Sequence, residues 1–180
     1  ISFHLLVAKL TPILWQYGLK EYQKDRLVLF LDPNRDPLGG GYHLIQSQIA
    51  IGSGGLFGTG LLRGKLTNLQ FIPEQHTDFI FSALGEELGF VGCMLVLVLF
   101  FFLIKKLINT AKNARTDFES LIVIGIAATF LFQIIINLFM TIGLGPVTGI
   151  PLPFMSYGRT SLMINFISIG FVLSIFKRSR

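Results

Sequence analysis

Long charge-free apolar runs alternate with short charged ones along this chain. Leu88 to Ile104 carries no charge, and Phe79 to Leu84 extends that run N-terminally past Glu86 and Glu87. Ser120 to Gly158 is charge-free throughout, too long for one span. Gly143, Gly145, Pro146, Gly149, Pro151 and Pro153 divide it into a helix, a tight apolar turn and the start of another helix. Thr160 to Phe176 is the next charge-free run. A bilayer-crossing helix needs about 20 mostly apolar residues. The pattern predicts an all-α polytopic membrane protein with spans at 79–104, 120–142 and 155–176. A loop at 105–119, a turn at 143–154 and a tail at 177–180 connect and end them. Residues 1–19 read as a fourth span, truncated at its start, with His4 and Lys9 set against that reading. The chain opens at Ile1 directly in apolar sequence and is expected to be a fragment, with no signal-peptide pattern.

Composition agrees with the pattern. Charged residues make up 14% and hydrophobic residues 52%, against about 25% charged in a soluble domain. A lone Cys93 excludes an internal disulfide or a cysteine-based zinc site. The net charge of +5 is concentrated rather than spread. Lys105, Lys106, Lys112 and Arg115 fall in the 105–119 loop, and Lys177, Arg178 and Arg180 in the tail. Positive residues in short loops mark the cytoplasmic side. Loop 105–119 and the C-terminus are therefore expected inside, and the 143–154 turn and the long 20–78 segment outside. The basic excess is a topology signal, and no nucleic-acid partner is expected.

Chemistry at the outer face is expected in 20–78, a loop with short helices. Asp32-Pro33-Asn34 and Asp36-Pro37 are turn signals. Tyr42 to Ile51 reads as a short amphipathic helix with Leu44, Ile45, Ile49 and Ile51 on its apolar side, ended by Gly52, Gly54 and Gly55. The glycine-rich run to Gly60 is either a phosphate cradle or, the favoured reading, a compact loop on the membrane surface. Glu74 and Asp78 lie just ahead of a span that Pro73 or Thr77 can start. They either complement a helix N-terminus or serve as a general base or metal-binding carboxylate. Glu86 and Glu87 lie deeper, where a charge faces a polar cavity or a partner. Asp78, Ser82 and Glu86 share one helical face, a polar track leading inward. Gln133 and Asn137, spaced i, i+4, suit interhelical hydrogen bonding. Arg159 snorkels to headgroups or meets an anionic lipid. His4, His43 and His76 make no metal-ligand spacing, and His76 beside Asp78 is either a supporting group or structural.

These residues sit in long ordered motifs. They are Arg-Asp-Pro-Leu-Gly at 35–39, Gly-Tyr-His-Leu-Ile-Gln-Ser-Gln-Ile-Ala-Ile-Gly-Ser-Gly-Gly at 41–55 and Pro-Glu-Gln-His-Thr-Asp-Phe-Ile-Phe at 73–81. Gly-Glu-Glu-Leu-Gly at 85–89 and Thr-Gly-Ile-Pro-Leu-Pro-Phe-Met-Ser-Tyr-Gly at 148–158 complete the set. The chain resembles the SEDS family (shape, elongation, division and sporulation), and its rod-shape members more than its cell-division members. The resemblance implies the C-terminal part of a ten-helix fold.

It further implies a peptidoglycan glycosyltransferase in the bacterial cytoplasmic membrane, polymerising lipid II during cell-wall elongation beside a class B penicillin-binding transpeptidase. Asp78 matches the family's essential loop aspartate, the expected general base. Glu74, His76, Glu86 and Glu87 match motif positions and take supporting roles. The leaving pyrophosphate needs cations. Arg63, Lys65 and Arg159 are candidates, as is a divalent Mg or Mn ion with Asp78 as a ligand. Two alternatives stand beside this reading: a lipid II translocase and a non-catalytic scaffold for the transpeptidase. One departure stands out. The family's last motif usually continues Ser-Tyr-Gly-Gly-Ser, and here Arg159 follows Gly158.

Overall fold

The structure is a computed structural model and describes residues 20–32, 40–61, 63–64 and 77–179. The span expected at 1–19 lies outside them, as do Lys65, Glu74 and His76. The described residues form helices in the order α1 (Glu21–Leu31), α2 (Gly40–Ser53), α3 (Ile80–Lys112), α4 (Asp117–Thr141) and α5 (Arg159–Arg178). By length and composition α3, α4 and α5 are each able to cross a membrane, with mean hydropathies of 2.6, 2.4 and 1.6 over their most apolar stretches.

α4 shows the rule most simply. Val123, Ala127, Phe130, Ile134, Asn137 and Thr141, with Met140, are its buried residues, most of them spaced by threes and fours on one face. Leu121, Ile124, Leu131, Phe132, Ile135 and Phe139 lie exposed on the rest of its circumference. Apolar residues all round suit a helix that meets hydrocarbon instead of water. The buried face packs on α3 and α5 through Leu107, Ala111, Val172 and Ile175, and nearer its C-terminal end on Phe81, Cys93, Val96, Phe100 and Leu152.

The expected boundaries shift at several points. The 105–119 loop shrinks to Asn113–Thr116, because α3 continues through Lys105 and Lys106 to Lys112. Lysines are good helix formers and favour a helix C-terminus, so a charged end is no end of the helix. Thr116 caps α4, its Oγ1 accepting from the Glu119 N–H at 3.2 Å, with Asp117 and Glu119 in the first turn. Thr-x-x-Glu is a capping sequence that the charge pattern alone hid. α5 starts at Arg159 and not at 155, because Leu152 to Ser156 forms a turn of its own. There the Leu152 N–H donates to Ser156 Oγ at 2.7 Å. α5 also runs through the expected tail to Arg178.

α3 is broken inside its own length. Gly89 has φ 66° and ψ −163°, outside any helix. An unbroken helix would pair the Phe90 N–H with the Glu86 C=O and the Val91 N–H with the Glu87 C=O. Instead the glycine-rich loop after α2 meets all four groups. The Phe90 N–H donates to the Gly55 C=O (2.9 Å) and the Val91 N–H to the Leu56 C=O (3.1 Å). The Thr59 and Gly60 N–H groups donate to the Glu86 and Glu87 C=O (2.9 and 3.0 Å). Backbone contact this close leaves no room for a side chain. A Cβ on Gly54 would stand 1.9 Å from the Gly85 oxygen, and one on Gly58 2.1 Å from the Glu87 oxygen. Thr59 and Gly60 thus spend their N–H groups on α3, which disposes of the phosphate-cradle reading.

α2 also packs differently from expectation. Its buried residues are Gly41, Leu44, Ser47 and Ala50, followed by Gly54, while Ile49 is 49% exposed. Small residues let the backbones of α2 and α3 approach, and that contact outweighs burial of the larger isoleucine.

Candidate active site around Asp78

Asp78 lies in the turn that enters α3, half-buried. The helix begins at Ile80 with Phe79 in the capping position and no side-chain cap, so neither Thr77 nor Pro73 starts it. Phe79 is 2% exposed and packs with Ala50, Met140 and Val147. That anchor fixes the backbone on one side of Asp78.

A strap from Val147 to Leu152 fixes the other side. Asn137, fully buried on α4, donates from Nδ2 to the Asp78 C=O (2.9 Å) and to the Ile150 C=O (2.8 Å). One amide therefore ties the strap to the aspartate's backbone. Among the described residues its buried Oδ1 has no hydrogen-bond partner. Thr148 is held by its N–H on Met140 Sδ at 3.3 Å. Arg26 of α1 donates from Nη1 to the Thr148 C=O at 2.8 Å. Gly149 comes next, with φ 73°, and a Cβ there would stand 3.3 Å from Asp78 Oδ2. The strap thus passes directly over the carboxyl group, and only glycine combines that φ with that clearance.

Beneath Asp78 the expected polar track takes a different form. Ser82 and Glu86 are 0% and 1% exposed. Ser47 Oγ donates to the Thr141 C=O at 2.9 Å. Its single proton is then used, so the 2.6 Å contact with Ser82 Oγ has Ser82 as donor. α2 therefore covers this face, and the track is a buried seam between α2, α3 and α4.

The other candidates are dispersed. Arg63 is exposed, and its N–H bonds the Gly60 C=O at 3.0 Å, on the loop docked at Gly89. That break lies about 16 Å along α3 from Asp78, at 1.5 Å per residue. Glu87 is half-buried at the same break. Arg159 opens α5 and lines a cavity of about 250 Å³ with Phe154, Ser156, Tyr157 and Leu162. Among the described residues no group of three or more His, Cys, Asp or Glu gathers to hold a metal. Arg26, Asn137 and Gly149 are the site residues that sequence reasoning missed or misassigned. Arg26 is the cation tied to the strap, through a backbone carbonyl that carries no sequence signature.

The arrangement offers a carboxylate at a helix entry whose backbone is fixed, with a glycine beside it and a guanidinium of α1 bonded to the strap. Comparisons with known proteins bear on it directly. Residues 1–180 match the family model described as cell cycle protein, which groups FtsW, RodA and SpoVE. Peptidoglycan glycosyltransferase MrdB of Escherichia coli is 46% identical over 95% of this chain and 46% of its own length. Peptidoglycan glycosyltransferase RodA of Treponema pallidum is 46% identical over 87% of this chain and 36% of its own. Stage V sporulation protein E of Bacillus subtilis is 43% identical over 88% and 43%. The chain thus spans about half the length of the curated relatives it matches. Among solved structures, a peptidoglycan synthase complex that coordinates polymerisation and crosslinking superposes with a TM-score of 0.75 at 32% identity, over 99% of this chain and 48% of the other. A variant of Thermus thermophilus rod shape determining protein RodA gives 0.56 at 27% identity, over 91% and 57%. A match along its whole length, with relatives this similar, means that the chain belongs to the FtsW, RodA and SpoVE family of cell cycle proteins.

Proposed function

We propose that this chain carries the catalytic aspartate of a peptidoglycan glycosyltransferase that elongates glycan strands from lipid II. The observation that carries the reading is the Asn137 bridge, which holds Asp78 under the strap at Gly149. The names of the relatives support the reaction class.

In this reading Asp78 accepts the proton of the acceptor sugar hydroxyl. The freed oxygen electrons form a bond to the donor's anomeric carbon. The bond from that carbon to the diphosphate oxygen breaks, and undecaprenyl pyrophosphate leaves with the electron pair. The proton on Asp78 then passes to water. Arg26, on the strap, is placed to offset negative charge near the reacting groups, and Arg63, Lys65 and Arg159 remain candidates for the pyrophosphate. The loop side faces outward and the basic ends of α3 and α5 face the cytoplasm, as the Lys and Arg distribution favours. The synthase-complex likeness supports a penicillin-binding transpeptidase as partner.

The test uses the full-length protein with its transpeptidase in proteoliposomes, reading glycan polymer and transbilayer movement of lipid II together. Asp78→Asn is expected to insert, retain the transpeptidase and make no polymer. Unchanged polymer overturns the assignment of Asp78. Movement of lipid II without polymer in the parent protein would favour a translocase, and transpeptidase activation that alone survives would favour a scaffold.

A further inference from the structure

At their basic ends α3 and α5 leave a cleft between them, far from Asp78. Its volume is about 140 Å³, and its walls include Leu103, Leu107, Ile169 and Leu173. Thr110 also lines it, but its hydroxyl donates to the Lys106 C=O of its own helix at 3.0 Å. Apart from Lys106, the cleft therefore presents apolar walls, with the Thr110 hydroxyl satisfied within its own helix. Lys106 lines the same cleft and is exposed. Its Nζ lies 4.7 Å from the centre of the Phe176 ring, a cation–π contact that holds the charge at the cleft.

The surroundings are strongly positive. Lys105, Lys106, Lys112, Arg115, Lys177 and Arg178 cluster at this end, against Asp117 and Glu119. Among the described residues none of these cations forms an ion pair with either carboxylate. An apolar slot with an ammonium on its wall and surplus positive charge around it matches a molecule with a hydrocarbon tail and an anionic head. We propose that the cleft binds an anionic phospholipid, with an acyl chain between α3 and α5 and the phosphate at Lys106. A basic pocket between membrane helices is a known form of lipid recognition. This inference requires only that α3 and α5 cross a membrane, and it is independent of the role of Asp78.

The test is native mass spectrometry of the full-length protein in detergent, titrated with phosphatidylglycerol and with phosphatidylcholine of the same acyl chains. Phosphatidylglycerol is expected to bind more tightly. Lys106→Gln is expected to weaken it about five-fold, the effect of one cation at an anionic surface, and to leave phosphatidylcholine unchanged. Leu173→Trp fills the cleft without altering charge and is expected to weaken both lipids, with Leu173→Phe as a milder variant if the tryptophan protein melts early. Lys105→Gln, outside the lining, is the control. Equal losses for Lys105→Gln and Lys106→Gln would reduce the effect to diffuse surface charge and overturn the proposal. So would equal binding of the two lipids, or cleft-filling variants that bind as the parent does.

Discussion

Asn137 does at the residue scale what the position of Asp78 requires. It is a single amide that satisfies two backbone carbonyls from different segments. Asn137→Ala strands both, at about 1–3 kcal/mol for each buried carbonyl. The variant is expected to melt at clearly lower temperature in detergent, and to lose polymerisation at temperatures where it remains folded. Gly149→Ala separates positioning from stability. An alanine at that φ costs about 1–2 kcal/mol, and its Cβ crowds Asp78 Oδ2 at 3.3 Å. Steady-state polymerisation is expected to fall at least about ten-fold, the equivalent of 1.4 kcal/mol or more in the barrier, at temperatures where the variant remains folded, with a smaller loss in melting temperature than Asn137→Ala. The sequence singled out Asn137 as a polar group in an apolar run, and that much was legible. Its partners were not, because backbone carbonyls have no residue identity. The i, i+4 neighbour Gln133 shows the limit of the pattern, since its Oε1 is buried without a hydrogen-bond partner.

At the scale of elements, the broken helix depends on the loop that meets it. The Gly89 break frees two helical donors and two acceptors, and the loop after α2 pairs all four. Unpaired backbone is untenable at membrane depth, so the break and the loop form one unit. Gly54→Ala drives a Cβ into the Gly85 carbonyl and is expected to unseat the loop. Hydrogen exchange at the Phe90 and Val91 amides should then accelerate sharply. Gly52→Ala is the control, with nothing within 4 Å of its Cβ. It should be neutral or stabilising by up to about 1 kcal/mol in the last turn of α2. The glycine-rich run was visible in the sequence, but its docking site was not. Gly89 lies in an apolar stretch where a glycine is equally compatible with a continuous helix. Likewise Lys105 and Lys106 are not the end of α3, since charge periodicity does not locate the last helical turn.

At the scale of the molecule, the charge distribution is the basis of the proposed orientation. In that orientation Arg115 and the basic ends of α3 and α5 are inside, and the Asp78 strap and the Gly89 loop lie toward the outside. In intact cells carrying the full-length protein, Leu61→Cys is expected to react with a membrane-impermeant maleimide. Arg115→Cys is expected to react only after the membrane is opened. Cys93 is buried and should remain silent in both. The reverse pattern would place the site on the wrong face for an outer-leaflet glycan donor. The order of the three long apolar helices was readable because it rests on charge set against an apolar background, whereas the role proposed for Asp78 came from the motif around it and not from charge. The clamp was not readable, because it is made from contacts to backbone carbonyls distant in sequence, Asn137 with Asp78 at a separation of 59 residues and Arg26 with Thr148 at 122. The central claim remains that Asp78 takes the acceptor's proton. The most direct measurement is the initial rate of lipid II polymerisation by the full-length protein with its transpeptidase, parent against Asp78→Asn, normalised to inserted complex. The account predicts a loss of about 10²–10⁴, the usual contribution of a positioned base. A variant rate equal to the parent's would contradict it.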